Sequence, residues 1–66
     1  MNIEQMKAQW GQLKAKAQQR WGQLTNDEIT RISGEFDELV ATIQKKYGKT
    51  KEDARQEVND WLRQVG

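Results

Sequence analysis

The segment Phe36-Asp37-Glu38-Leu39-Val40-Ala41-Thr42-Ile43-Gln44-Lys45-Lys46-Tyr47-Gly48-Lys49-Thr50 decides the fold. Phe36, Leu39, Val40, Ile43 and Tyr47 stand at i, i+3, i+4, i+7 and i+11, the spacing that lays apolar side chains along one face of an α-helix. Gly48 follows as a residue able to take the left-handed conformation that ends a helix. Thr50 is an N-cap for the next helix, with Asp53 three positions on in place of the usual Glu. Ala54, Val58, Trp61, Leu62 and Val65 then form a second apolar stripe. Two amphipathic helices joined by so short a loop fold back on each other as a hairpin.

Toward the N-terminus, Leu24-Thr25-Asn26-Asp27-Glu28-Ile29 reads as a capping box, with Thr25 as N-cap, Glu28 at N3, and Leu24 and Ile29 placed as a hydrophobic staple. Only Ile29 and Ile32 are large and apolar before Ser33-Gly34, so this helix is short. Before it, Ile3, Met6, Trp10, Leu13, Ala17, Trp21 and Leu24 step by three or four residues and fall in a stripe roughly 80° wide. The stripe contains a repeat, Trp10-Gly11-Gln12-Leu13 and Trp21-Gly22-Gln23-Leu24, offset by 11 residues. That offset is about three helical turns, which makes the repeat a packing device on one buried face. Gly11 and Gly22 each lower helix propensity by about 1 kcal/mol relative to Ala and are the expected points of bending or fraying.

These signals predict helices over residues 3 to 22, 26 to 32, 35 to 47 and 50 to 64, with no competing alternation of strand type. The fold class is all-α, a small four-helix bundle of packed helical hairpins in one domain spanning residues 1 to 66. The expected core is Trp10, Leu13, Trp21, Leu24, Ile29, Ile32, Phe36, Leu39, Val40, Ile43, Tyr47, Val58, Trp61 and Leu62. The first helix is expected to cross the hairpin of the last two, with Trp21 the most buried tryptophan.

Composition tests whether such a chain folds at all. A 66-residue chain buries only about 60% of the surface its unfolded form exposes. Hydrophobic residues are 35% of it, charged residues 32%, and the mean hydropathy is -1.07. Compositional disorder couples low hydrophobicity to high net charge, and here the formal net charge is only +1. With three tryptophans, one phenylalanine and one tyrosine at helical spacing, the chain reads as a lean folded core.

At this point the residues resemble a known family. Trp21 through Ile29, then Ile32-Ser33-Gly34, Asp37-Glu38-Leu39, Ile43-Gln44-Lys45-Lys46-Tyr47-Gly48 and the closing Ala54 to Trp61 segment are similar, in order, to the CsbD-like family of small bacterial proteins. The similarity spans most of the chain. It departs where the family pattern has glycine near positions 15 and 41, here Ala15 and Ala41, and a basic residue where Phe36 stands. The resemblance implies a compact helical bundle associated with the general stress response. It brings no catalytic or ligand-binding residue to transfer.

The residues themselves argue against catalysis. Proline, cysteine and histidine are absent, which removes disulfides, thiolate and imidazole metal ligands and the usual neutral-pH acid/base. Ser33, Thr25, Thr30, Thr42 and Thr50 have no histidine to activate them, and Thr25 and Thr50 are helix caps. No enzyme activity and no cofactor are therefore expected. Asp27, Glu28, Glu35, Asp37 and Glu38 concentrate acid in one stretch, but they fall in the first turns of two helices, where negative charge complements the macrodipole.

Three surface readings follow. Lys45, Lys46, Lys49, Lys51 and Arg55 cluster around the Gly48 turn and form a basic patch able to meet phosphate, although Lys45 and Lys46 also complement the end of their helix. Lys7, Lys14, Lys16 and Arg20 flank the stripe of the first helix, an arrangement suited to an anionic membrane surface or to snorkelling around a core stripe. The reading preferred is a non-catalytic structural or protein-interaction role, monomeric and cytoplasmic. Nucleic-acid binding through the basic turn and peripheral membrane binding through the first helix are the alternatives. No segment approaches the roughly 20 apolar residues of a membrane span.

Overall fold

The computed structural model describes residues 1–66, and every regular element in it is a helix: α1 (Ile3–Ala8), α2 (Trp10–Arg20), α3 (Asn26–Ile32), α4 (Phe36–Tyr47) and α5 (Lys51–Val65). α4 and α5 form the hairpin that the Phe36 to Thr50 segment announces, and theirs is the most extensive helix pairing. α1 lies against α4 and α2 against α3. The Cα radius of gyration is 10.5 Å, against about 11 Å for a folded domain of this length, so the lean composition collapses fully.

Local chemistry accounts for the helix ends. Thr25 Oγ1 accepts the Glu28 N–H at 3.1 Å while Glu28 Oε1 accepts the Thr25 N–H at 2.9 Å, so the capping box is complete. Asn2 and Gln5 form a second box at the start of α1. Thr50 accepts the Asp53 N–H at 3.1 Å, but the return bond is not made, because Asp is one methylene shorter than Glu. Gly48 ends α4 at φ 65°, with the Lys49 N–H bonded back to the Gln44 carbonyl at 3.2 Å.

The expected single helix over residues 3 to 22 is two helices, and the bundle has five helices where four were predicted. The break falls at Gln9 (φ -107°, ψ 16°), not at Gly11 or Gly22, and Gln9 is both the C-cap of α1 and the N-cap of α2. Its cause is tertiary. Gly34, at φ 76°, presses the α3–α4 turn into the α1–α2 junction so closely that a Cβ there would stand 2.7 Å from the Lys7 Cα and 3.0 Å from the Trp10 Cβ. The buried Trp10 indole N–H donates to the Ile29 carbonyl at 2.9 Å. A straight rod could follow α4 or α3 but not both, and the bend at Gln9 brings Met6 and Trp10 into the core together. α2 also stops at Arg20, because Trp21 leaves helical geometry at φ -123°, ψ 82°.

Sixteen apolar residues form one buried cluster. It holds Trp10, Leu13, Trp21, Leu24, Ile29, Ile32, Phe36, Leu39, Val40, Ile43, Val58, Trp61 and Leu62, together with Met6, Ala17 and Ala54. Trp21 is 1% exposed, against 4% for Trp10 and 3% for Trp61, and it meets Trp61 edge-on with ring centroids 5.2 Å apart. Two residues depart from the sequence reading. Tyr47 is half-buried at the core's edge, where its hydroxyl accepts the Gln23 backbone N–H at 3.0 Å, the polar partner a phenol needs. Ile3 shares the apolar stripe but is 46% exposed, in the first turn of α1. No buried side-chain polar atom lacks a hydrogen-bond partner.

Candidate functional site

The basic turn between α4 and α5 is not one patch. Lys46 reaches across to α3 and pairs with Glu28 at 3.1 Å. Lys49 pairs with Glu57 of α5. Lys45, Lys51 and Arg55 are exposed and join no ion pair. Lys45 lines a shallow cleft of about 260 Å³ between α3 and α4, but Glu28 and Glu38 line it too, with Arg31, Ala41 and Thr42. Three uncommitted cations therefore remain of the five that sequence grouped together.

The densest polar constellation centres on Glu57, which the sequence reading did not single out. Its carboxylate receives Lys49, the Trp21 indole N–H at 3.1 Å and Arg20 at 3.4 Å, with the side chain 18% exposed. Arg20 also lies over the Trp21 ring, 5.2 Å from its centroid. Burial by itself pushes this carboxyl up, but the Lys49 and Trp21 hydrogen bonds and the charges of Lys49 and Arg20 outweigh it and hold Glu57 below the ordinary glutamate value. One signal was available: Glu57 precedes Trp61 by four residues and follows Ala54 by three, at the margin of the buried stripe, where an acid needs a specific partner.

Glu28 and Glu35 are also engaged. The Thr25 backbone hydrogen bond leads in lowering Glu28; burial opposes it, and the hydrogen bond and charge of Lys46 add to the lowering. Lys7 is raised by its hydrogen bond and charge pairing with Glu35, 2.8 Å away, which ties α1 to the start of α4. No group of three or more His, Cys, Asp or Glu side chains is arranged to hold a metal ion. The largest cleft, about 520 Å³, is lined by Met1, Asn2, Ile3, Glu4, Asn59, Leu62 and Arg63.

The membrane alternatives are constrained by packing. No helix is long and apolar enough to cross a membrane. On α2 the stripe of Trp10, Leu13 and Ala17 is buried against the rest of the chain, so an amphipathic face there is already occupied.

Fold and surface together define a small all-α protein with one apolar core and a few ion pairs that join its helices. Residues 4–56 match the CsbD-like family model, and the chain belongs to that family. It is 48% identical over 61 residues to a UPF0337 protein of Pectobacterium atrosepticum, covering 92% of this chain and 88% of that one. Similarity of the same order links it to a UPF0337 protein of Bordetella pertussis, 46% identical over 62 residues and 94% of both chains. The UPF0337 protein YjbJ of Escherichia coli K12 is 44% identical over 61 residues, 92% of this chain and 88% of the relative. No solved structure matches the chain. None of these names states an activity.

Proposed function

We propose that this chain is a non-catalytic protein of the general stress response that acts through contacts of its folded surface with another protein. The observation that carries the reading is how the side chains are used: sixteen apolar residues are consumed by one core, and Lys7, Arg20, Glu28, Glu35, Lys46, Lys49 and Glu57 are committed to ion pairs between elements. What is left for function is the exterior. Membership of the CsbD-like family supports the stress association. A cytoplasmic monomer is the form in which such a surface works.

Nucleic-acid binding is the second reading, and the three uncommitted cations Lys45, Lys51 and Arg55 favour it. A binding assay across salt concentrations separates the two. The interaction reading expects weak nucleic-acid binding at physiological salt, and a partner captured from stressed cells whose complex re-forms from purified components. Tight binding of single-stranded or duplex nucleic acid, with a steep salt slope that falls when Lys45, Lys46, Lys49 and Lys51 are neutralised, would replace it.

A further inference from the structure

We propose that Glu57 is an acid-released clasp, whose protonation releases the Trp21 indole N–H and Arg20 at the end of α2 while the Trp21 ring stays packed and the helices hold. Three polar or aromatic interactions tie the end of α2 to α5: the Arg20–Glu57 pair, the Trp21 indole bond to Glu57 and the edge-on contact of Trp21 with Trp61. Two of the three end on one carboxylate. The same carboxylate holds Lys49 from the α4–α5 turn, so one side chain joins three parts of the chain.

The charges around it explain why the clasp is sensitive to protonation. Arg20 faces Glu57 from α2 and Lys49 from the turn. On α5 itself, Asp53 lies four residues before and Asp60 three residues after, with Asp60 paired to Arg63. From α4, Lys46 is turned away to Glu28. α2 carries no acidic residue, so Arg20 has no nearby substitute partner on its own helix. With Glu57 ionised, Arg20, Lys49 and Glu57 sum to +1; with Glu57 neutral they sum to +2, two cations held around an uncharged carboxyl. Charge-assisted bonds become ordinary ones, and the cations repel.

The sign follows from the direction of the shift. Glu57 in the folded chain titrates below the ordinary glutamate value of 4.5. Its contribution is complete above that value and is lost as pH falls through its own lower one. The Trp21 pair with Trp61 then lacks its polar anchor, while the α4–α5 hairpin loses the Lys49 pair but keeps its extensive helix pairing.

The molecule supplies its own reference for the test. The Trp10 indole N–H is bonded to the Ile29 carbonyl, a group that does not titrate, whereas that of Trp21 is bonded to Glu57. Indole proton exchange and chemical shift of the full chain, followed by NMR from neutral to acid pH, should show Trp21 losing protection below 4.5 while Trp10 and the far-UV helix signal persist. In Glu57→Gln, exchange at Trp21 should be about tenfold faster already at neutral pH and no longer respond to acid, with Trp10 unchanged. Lys49→Gln, at an exposed position, should move the Trp21 transition to higher pH, and Glu28→Gln should leave it in place. Simultaneous loss of protection at Trp10 and Trp21, or a Trp21 transition indifferent to Lys49→Gln, would overturn the proposal.

Discussion

Replacing Gly34 with Ala tests the bend at Gln9 directly. Gly34 sits at φ 76°, and its added Cβ would stand 2.7 Å from the Lys7 Cα, 3.0 Å from the Trp10 Cβ and 3.1 Å from the Met6 carbonyl oxygen. The left-handed backbone costs an L-residue about 1 to 2 kcal/mol. The overlap adds about 1 to 3 kcal/mol, because two of the three neighbours are backbone atoms and α1 as a whole must retreat. The sum, about 2 to 5 kcal/mol, compares with a total stability of about 3 to 10 kcal/mol for 66 residues. Gly48→Ala is the control, since Gly48 has nearly the same backbone at φ 65° but nothing within 4 Å of its Cβ position. It should lose only the backbone cost of about 1 to 2 kcal/mol. Urea unfolding followed by far-UV circular dichroism gives both values. Equal losses in the two variants would refute the close approach and with it the stated cause of the helix break.

Trp21→Ala should cost about 3 to 5 kcal/mol, enough to unfold much of the population at room temperature, and denaturant titration would reveal a stable variant if the Trp21 to Trp61 contact were incidental. Thr25→Ala should lose about 1 kcal/mol by removing the oxygen that caps α3, whereas Thr25→Ser should stay near the parent; thermal unfolding of the pair is the measure. Stability should fall as pH drops below 4.5, because Glu28 and Glu57 both titrate lower in the folded chain than unfolded. Titration of the Glu28→Gln, Glu57→Gln double variant should show a shallower acid limb, and an unchanged limb would assign acid sensitivity elsewhere. Changing Lys45, Lys51 and Arg55 to Gln should leave the unfolding midpoint within about 0.5 kcal/mol of the parent, since none of the three is paired.

The apolar spacing of residues 36 to 47 and 54 to 65 and the caps at Thr25, Gly48 and Thr50 specify α3, α4 and α5 almost to the residue, because each is set by interactions within four positions along the chain. Family membership was equally legible in the ordered motifs from Trp21 to Trp61. The candidate basic site was legible only as a composition. Which cations stay free depends on Glu28 and Glu57, which lie 18 residues before Lys46 and 8 after Lys49 and are joined to them only by the fold.

The same division separates the two halves of the chain. Sequence alone predicted a helix over residues 3 to 22, of which Ile3–Ala8 and Trp10–Arg20 are helical, and the face it buries, since a 3.6-residue period needs no partner to be read. It could not place the bend. Gly11 and Gly22 mark where a helix is weak in isolation, whereas the break at Gln9 is where the Gly34 turn and the Trp10 to Ile29 bond require two directions from one stripe. Likewise Glu57 is an ordinary surface acid until α2 brings Arg20 and Trp21 to it across 36 residues of chain. Local hydrogen bonding and periodicity choose the elements; only their packing chooses where a helix must bend and which charges meet.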